Sequence, residues 1–264
     1  MKDVLSEIVL NKKVEVARQK ELVPLIELEK HLLQKKDTIK FRSLKEALLN
    51  STTGIIAEFK RRSPSKGWLH QNAAVDIVTK AYENAGASAL SVLTDESYFG
   101  GTLADLNSAV QNVQIPVMRK EFIVDEYQIF EAKLMGASAI LLIAAAITQE
   151  ESMRFTRLAN ELQLDVLLEL HDESETDYIT PLNSVIGINN RNLGSFVTDL
   201  QKSFRMVQLL PMDSVWVSES GLSDANVVKE LRDAGYKGFL IGEYFMKSGN
   251  PEASLKEFIQ QIEG

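Results

Sequence analysis

The chain has 264 residues, 45% of them hydrophobic, which is enough for one large buried core. Its net charge is -8, from 29 basic and 37 acidic residues, and no run of like charge is longer than the triplet at residues 60–62, so we expect no nucleic acid partner. Cysteine is absent, and the histidines His31, His70 and His171 are too scattered to form a metal site. We therefore expect neither a metal nor a cofactor.

The first 50 residues predict helices and no strand. Three amphipathic patterns follow one another, carried by Val4, Leu5, Ile8 and Val9, then Leu25, Ile26, Leu28 and Leu32, then Phe41, Leu44 and Leu48. The first pattern lacks the apolar core and cleavage site of a signal peptide. No apolar run approaches the roughly 18 residues of a membrane span, and the longest, at residues 137–147, is better explained as a buried strand. We expect a cytoplasmic protein with no membrane partner.

From residue 55 onward, a unit made of a helix end, a glycine and an apolar strand recurs. Its clearest copies contain Gly86, Gly136 and Gly235, each placed where a helix would end in a left-handed cap. The repeat predicts eight strands, near residues 55–59, 88–93, 115–119, 138–143, 165–169, 185–188, 214–218 and 238–242.

Eight near-continuous apolar strands that alternate with helices favour the α/β class and a (β/α)8 TIM barrel. An open doubly wound sheet is the structural alternative, although it usually has fewer strands and no GxGxxG motif follows the first strand here. We predict a single barrel domain over residues 1–264, with residues 1–50 as an N-terminal helical extension.

Charged and polar residues stand at the carboxyl ends of the predicted strands, where barrel enzymes build their active sites. Strand alternation places Glu58 and Lys60 on the same face, two residues apart. The later strand ends carry Lys120, Glu169, Asn189, Arg191, Glu219, Ser220, Gly221, Gly242 and Glu243. Lysines, carboxylates and an amide therefore converge on one mouth, which indicates a catalytic site.

Seven segments resemble, in order and spacing, the indole-3-glycerol phosphate synthase family: IIAEFKRRSPSKG, SVLTDESYFGG, PVMRKEFIVDEYQI, LLELHDE, GINNRNL, SESGL and FLIGEYFM. The resemblance covers essentially residues 1–262. It implies a lyase of tryptophan biosynthesis that cyclises, decarboxylates and dehydrates 1-(2-carboxyphenylamino)-1-deoxyribulose 5-phosphate. The products are indole-3-glycerol phosphate, carbon dioxide and water. We expect a monomer that binds this phosphorylated small molecule, with residues 1–50 packed over the barrel mouth.

The resemblance also assigns catalytic roles. Lys120 is the general acid at the ketone oxygen, while Lys60 pairs with the substrate carboxylate or shares a later proton transfer. We expect these two ammonium groups to depress each other's proton affinity. Four further residues complete the predicted set: Glu58 as a counter-charge, Glu169 as the base of the dehydration, Asn189 as the residue that orients a substrate hydroxyl, and Arg191 as the residue that holds the anthranilate carboxylate.

A second group of residues is predicted to bind the phosphate. Gly221 and Gly242 let the backbone approach the anion after the last two strands, and Ser220 adds a hydroxyl for substrate binding. Ser63 resembles a third phosphate contact of the family. The Glu243 carboxylate would repel a phosphate, so we expect its side chain to point away while its backbone amide donates.

Other residues near the mouth are predicted to shape it. Phe99 and Phe122 are expected to contact the substrate, although Phe99 alone could equally be a loop anchor. The SPSKG segment and the two glycines after Phe99 indicate mobile loops. Arg119 is expected to be structural, and Glu121, where the family more often has aspartate, is expected to matter little.

Two functional alternatives stay open on the sequence. A related sugar-phosphate barrel, such as a phosphoribosylanthranilate isomerase, would share the glycine-rich loops but would use a cysteine and aspartate pair, and cysteine is absent. A non-catalytic barrel would lack one or more of the charged mouth residues, and all are present. Glu58 and Lys60 alone would more often be only an ion pair at a strand end.

Overall fold

The strands of the protein position the site. The computed structural model of the protein describes residues 4–35, 39–192, 194 and 196–264, so parts of the predicted extension and Leu193 of the GINNRNL motif lie outside the described residues. In chain order the strands are β1 (Ile55–Phe59), β2 (Arg62–Ser63), β3 (Gly67–Trp68), β4 (Ala89–Leu93), β5 (Val117–Lys120), β6 (Ala139–Ile143), β7 (Asp165–Leu170), β8 (Val185–Asn189), β9 (Val215–Glu219) and β10 (Gly238–Ile241).

Helices precede and separate these strands. They are α1 (Val4–Leu22), α2 (Leu25–Lys35), α3 (Leu44–Leu49), α4 (Val75–Ala85), α5 (Glu96–Phe99), α6 (Leu103–Asn112), α7 (Glu126–Leu134), α8 (Gln149–Glu161), α9 (Gln201–Met206), α10 (Ala225–Asp233), α11 (Glu243–Met246) and α12 (Pro251–Glu263). Short 3-10 turns lie at Ala144–Ala146, Glu173–Tyr178 and Val207–Leu209. Across the described ranges, no helix is long and apolar enough to cross a membrane.

Eight parallel strands close into a barrel in the order β1, β10, β9, β8, β7, β6, β5 and β4, with β4 paired back to β1. This confirms the predicted (β/α)8 TIM barrel, and each predicted strand begins and ends within two residues of the observed one. The largest shift is at β5, which starts at Val117 and not at residue 115. Pro116 has no N–H group to donate to a neighbouring strand, so regular pairing begins after it.

The predicted glycine caps are confirmed. Gly86, Gly136 and Gly235 follow α4, α7 and α10 with φ angles of 102°, 86° and 112°. Residues other than glycine rarely adopt this left-handed conformation, so these three positions end each helix and turn the chain toward the next strand.

The N-terminal helices cover both ends of the barrel. Leu44 and Leu48 of α3 are buried in one cluster with the apolar residues inside the barrel, and α3 precedes β1 at the amino ends of the strands. Leu5 and Ile8 of α1 belong to the same cluster but line the opening at the carboxyl ends. Phe41, which was predicted as part of the third helical face, lies before α3 and is exposed.

The first loop of the barrel is more regular than the sequence indicates. Its SPSKG segment lies within a small antiparallel hairpin in which Arg62 of β2 pairs with Trp68 of β3 and Ser63 pairs with Gly67. Arg62 also places its guanidinium 5.6 Å from the centre of the Trp68 ring. The hairpin therefore holds Ser63 at a defined position above β1.

Candidate active site

A cavity of about 840 Å³ opens at the carboxyl ends of the strands. The predicted site residues all line it: Glu58, Lys60, Ser63, Phe99, Lys120, Phe122, Glu169, Asn189, Arg191, Ser220, Gly221, Gly242 and Glu243. Val4, Leu5 and Ile8 of α1 add an apolar wall. The carboxyl ends of the strands thus bring this predicted set to one opening, while Glu219 lies buried beside Lys120 and outside the lining.

Strand alternation explains which side chains face the cavity. Ile56, Met118, Leu167 and Val217 are apolar residues in the barrel interior. The residues two positions later on the same faces are Glu58, Lys120, Glu169 and Glu219. Each of these strands therefore ends its inward face with a charged group above an apolar layer.

Lys60 forms an ion pair with Glu58, which lies on the same strand end. Its Nζ atom lies 2.5 Å from Oε1 of Glu58, whose side chain is 5% exposed. The charge of Lys60 is thus balanced within its own strand end.

Lys120 is held by two other carboxylates. Its Nζ atom lies 2.6 Å from Oε2 of Glu219 and 3.3 Å from Oε2 of Glu169. Burial acts to lower the pKa of Lys120, but three carboxylates outweigh burial and raise that pKa above its usual range: Glu219, Glu169 and Glu58. The expectation that a neighbouring lysine would depress the proton affinity of Lys120 is therefore wrong. Lys120 is therefore held in its charged form.

The two carboxylates on Lys120 have different acidities. Burial raises the pKa of Glu219, the Lys120 charge opposes the rise, and Glu169 adds to it, so the Glu219 pKa stands well above that of an ordinary carboxyl. Burial acts on Glu169 in the same direction, but Lys120 and His171 outweigh it and hold the Glu169 pKa below the usual range. His171 places Nε2 3.1 Å from Oε1 of Glu169. Such a divided pair is typical of acid–base sites.

The sequence indicated no role for Glu219 or Gly187, and it indicated only a phosphate-binding role for Gly242. A Cβ atom at Gly187 would lie 2.2 Å from Oε1 of Glu219, and one at Gly242 would lie 2.5 Å from Oε1 of Glu58. Gly187 pairs with Val217 on β9, and Asn189 pairs with Glu219. The two glycines therefore leave the space that the Glu219 and Glu58 carboxylates occupy. At Gly242, the Glu58 carboxylate alone leaves no room for a side chain, so glycine fits this position even without a bound anion.

We expect Gly187→Ala to lower kcat by about 100-fold, because the new methyl group must displace the Glu219 carboxylate from Lys120. Thermal unfolding and circular dichroism should show a folded protein. Gly194→Ala is the matched control, since a Cβ atom there meets its nearest neighbour, Oδ1 of Asn192, at 3.4 Å. Equal activity of the two variants would show that the position of Glu219 is not critical.

The predicted phosphate residues all line the cavity, in the loops after β1, β9 and β10. The Oγ atom of Ser63 is buried and finds no hydrogen-bond partner among the described residues. Ser220 and Gly221 follow β9 with φ angles of 69° and 79°, and a left-handed serine is strained. Gly242 and Glu243 begin α11, where the first-turn N–H groups lack partners within the helix. An unpaired hydroxyl, a strained turn and a helix start are features of an anion site.

Cations surround the carboxylate of Glu243. Oε1 lies 2.5 Å from Nζ of Lys247, and Oε2 lies 3.4 Å from Nη2 of Arg191. These two cations balance the charge that would otherwise repel a phosphate. Arg191 also reaches Oγ of Ser65 at 3.4 Å, and its backbone N–H donates to Oδ1 of Asn189 at 3.0 Å.

Part of the cavity wall is apolar. The rings of Phe99 and Phe122 have centroids 6.0 Å apart. Leu5 and Ile8 of α1 belong to the same cluster as Phe122, and Phe99 packs against that cluster. A ligand with an aromatic group and a phosphate group would thus find an apolar wall and a set of anion-binding groups in the cavity that Lys120 also lines.

The fold and the site together define a (β/α)8-barrel enzyme with paired acids and bases at the carboxyl ends of its strands. A family model described as Indole-3-glycerol phosphate synthase matches residues 5–258. An indole-3-glycerol phosphate synthase from Bacteroides thetaiotaomicron is 52% identical over 263 residues, with 100% of both chains covered. One from Neisseria meningitidis serogroup C is 41% identical over 257 residues, covering 97% of this chain and 98% of its own.

The chain therefore belongs to the indole-3-glycerol phosphate synthase family, and it is accordingly a decarboxylating lyase of tryptophan biosynthesis. A solved structure described as thiamine phosphate pyrophosphorylase from Pyrococcus furiosus is similar in fold alone. It matches with a TM-score of 0.60 at 13% identity and covers 81% of this chain and 98% of its own.

Proposed function

We propose that this mouth converts 1-(2-carboxyphenylamino)-1-deoxyribulose 5-phosphate to indole-3-glycerol phosphate, carbon dioxide and water, with Lys120 as the general acid of ring closure. The observation that carries the proposal is the contact of the Lys120 ammonium with Glu219 and Glu169 in the mouth. The experiment that tests it is formation of the fluorescent indole product by the purified chain.

The chemistry needs proton donors and acceptors in a fixed order. In ring closure, the ring carbon that bears the carboxylate attacks the ketone carbon, and Lys120 protonates the ketone oxygen. Loss of carbon dioxide then returns the electrons of the broken bond to the ring. In the dehydration, the new hydroxyl leaves as water while a base removes a proton from the neighbouring carbon. The low pKa of Glu169 keeps it ionised for the role of base.

Lys60 and Glu58 form the second charged pair of the mouth. We propose that Lys60 either holds the substrate carboxylate or donates the proton to the leaving hydroxyl. Asn189 orients a hydroxyl of the sugar chain, and Arg191 holds the anthranilate carboxylate. The contact of Asn189 Oδ1 with the Arg191 amide supports this by fixing both residues in one turn.

The phosphate is proposed to bind between the Ser63 hydroxyl and the backbone groups of Gly221, Gly242 and Glu243, next to the Ser220 hydroxyl. The aromatic ring is proposed to lie between Phe99 and Phe122. This orientation is supported by the apolar wall and the separate set of anion-binding groups in one cavity. In it, the ketone, which lies between ring and phosphate in the substrate, is proposed to lie near Lys120.

We expect Ser220→Gly and Ser220→Ala to differ in stability but not in binding. Both variants lose one hydrogen bond to substrate, so KM should rise by about 3- to 10-fold. Only glycine relieves the left-handed strain at this position, so only Ser220→Gly should raise the free energy of unfolding, by about 1 kcal/mol. Steady-state kinetics and urea unfolding measure the two effects. An unchanged KM in both variants would remove the Ser220 hydroxyl from the binding site.

We further propose that the enzyme works as a monomer in the cytoplasm and that residues 1–264 form one barrel domain with residues 1–50 as its extension. The packing of α1 and α3 on opposite ends of the barrel supports a single unit. Light scattering should give the monomer mass of 29.5 kDa.

A further inference from the structure

A buried lysine lies on the helix that covers the mouth. The inward face of α1 consists of Leu5, Ile8, Lys12 and Val16, so Lys12 occupies a position at which the helical pattern calls for an apolar residue. Its side chain is 1% exposed. A buried ammonium is strongly unfavourable unless it is paired, so its partners define what Lys12 does.

Three carboxylates surround Lys12. The Nζ atom lies 2.9 Å from Glu15, 3.1 Å from Asp95 and 3.2 Å from Glu121. Asp95 and Glu121 are fully buried, and the Oδ2 atom of Asp95 accepts no hydrogen bond of good geometry in the described part of the chain. Burial acts to lower the pKa of Lys12, but Glu121 and Asp95 outweigh burial and raise it, so the lysine is charged.

Asp95 and Glu121 in turn fix the two aromatic residues of the mouth. Oδ1 of Asp95 accepts the Tyr98 N–H at 2.7 Å at the start of α5, the helix that ends at Phe99. Glu121 is the residue after Lys120, and its Oε1 atom accepts the Phe122 N–H at 2.8 Å. Glu121 therefore makes contacts at the mouth that the sequence did not indicate.

The two carboxylates are also joined to each other through the strand ends. The Thr94 hydroxyl, next to Asp95, donates to Oε2 of Glu121 at 2.7 Å and accepts from Nε of Arg119 at 3.1 Å. Lys12 thus connects α1 to a continuous network that spans the ends of β4 and β5. An apolar side chain at residue 12 could pack α1 without the desolvation cost, so the charge is expected to act on loop geometry more than on stability.

We propose that Lys12 is a positioning residue for the aromatic half of the substrate, which sets Phe99 and Phe122 against α1 without touching the substrate itself. The proposal rests on the proposed function, because it takes the apolar wall at Phe99 and Phe122 as the binding place of the aromatic ring. It assigns no role to Lys12 in phosphate binding.

The test uses the full chain with Lys12→Met and with the double variant Lys12→Met and Asp95→Asn. Asparagine can still cap α5, and the double variant no longer buries an unpaired carboxylate at residue 95. We expect both variants to raise KM by about 10-fold or more, because small displacements of binding groups are amplified in affinity. The change in kcat should be smaller than the change in KM. Inhibition by inorganic phosphate should be unchanged.

The matched control is Lys20→Met, on the same helix. Lys20 joins α1 to Asp125 at 2.6 Å, but its side chain is 40% exposed and lies outside the cavity lining. Its loss should leave KM unchanged. The inference is overturned if KM is unchanged in Lys12→Met, if Lys20→Met raises KM equally, or if the double variant restores both the melting temperature and KM.

Failure of the proposed function can be separated from failure of this inference. If the wild type forms no product, the function fails, and calorimetric binding of anthranilate to wild type and to the double variant still tests Lys12. Weaker anthranilate binding by the variant supports the inference. Equal binding overturns it.

Discussion

Replacing Lys120 by methionine is expected to lower kcat by about 1,000-fold, because the ketone oxygen loses its proton donor in ring closure. The raised pKa of Lys120 makes the wild-type residue fully charged at neutral pH, so the loss should be similar from pH 6 to pH 9. Single-turnover measurements with saturating substrate would report the chemical step directly. Lys120→Arg keeps the charge but replaces the compact ammonium by a larger planar guanidinium, and it should not restore turnover.

The control for this variant is Lys133→Met. Lys133 is also buried, on α7, and its Nζ donates to the carbonyl of Gln163 at 3.3 Å, outside the cavity lining. Its replacement tests the general effect of removing a buried lysine and should leave kcat unchanged. Undiminished turnover in Lys120→Met would take the general-acid role away from Lys120 while leaving the fold assignment intact.

The second large effect is expected for Glu219→Gln, which should lower kcat by about 100-fold, because Lys120 loses the closer of its two carboxylate contacts. The variant should also change the pH dependence. The pKa of Lys120 is raised because carboxylates outweigh burial, so removing one of them lets burial lower that pKa. Lys120 would then lose its proton at lower pH, and the alkaline fall in kcat should move to lower pH than in the wild type.

Glu131→Gln is the matched control, since Glu131 is buried and paired with Arg119 at 3.2 Å but lies on α7 outside the cavity lining. It should leave the alkaline limb of the kcat profile in place. An alkaline limb in Glu219→Gln that coincides with the wild type, or that moves to higher pH, would contradict the electrostatic account of Lys120.

The barrel could be predicted from the sequence because its determinants are local. Continuous apolar runs mark strands buried on both sides, and Gly86, Gly136 and Gly235 mark where helices end. The candidate residues could be predicted for a similar reason. Once the strands are known, the carboxyl ends of all of them meet at one opening, whatever the details of their packing.

The interactions between site residues could not be predicted, because they depend on distances between strands. The expected repulsion considered only the two ammonium groups of Lys60 and Lys120. In the structure, each of these lysines contacts a carboxylate of its own. Gly187 appeared to be an ordinary strand residue until the pairing of β8 with β9 placed the Glu219 carboxylate against it. Glu121 gave no sign of its partner, because Lys12 lies far away in the chain.

The most direct test of the account is a fluorescence assay of the purified wild-type chain with 1-(2-carboxyphenylamino)-1-deoxyribulose 5-phosphate. We predict that indole fluorescence appears together with one equivalent of carbon dioxide, and that Lys120→Met forms neither at a comparable rate. Absence of both products from the folded wild-type chain would contradict the proposed function.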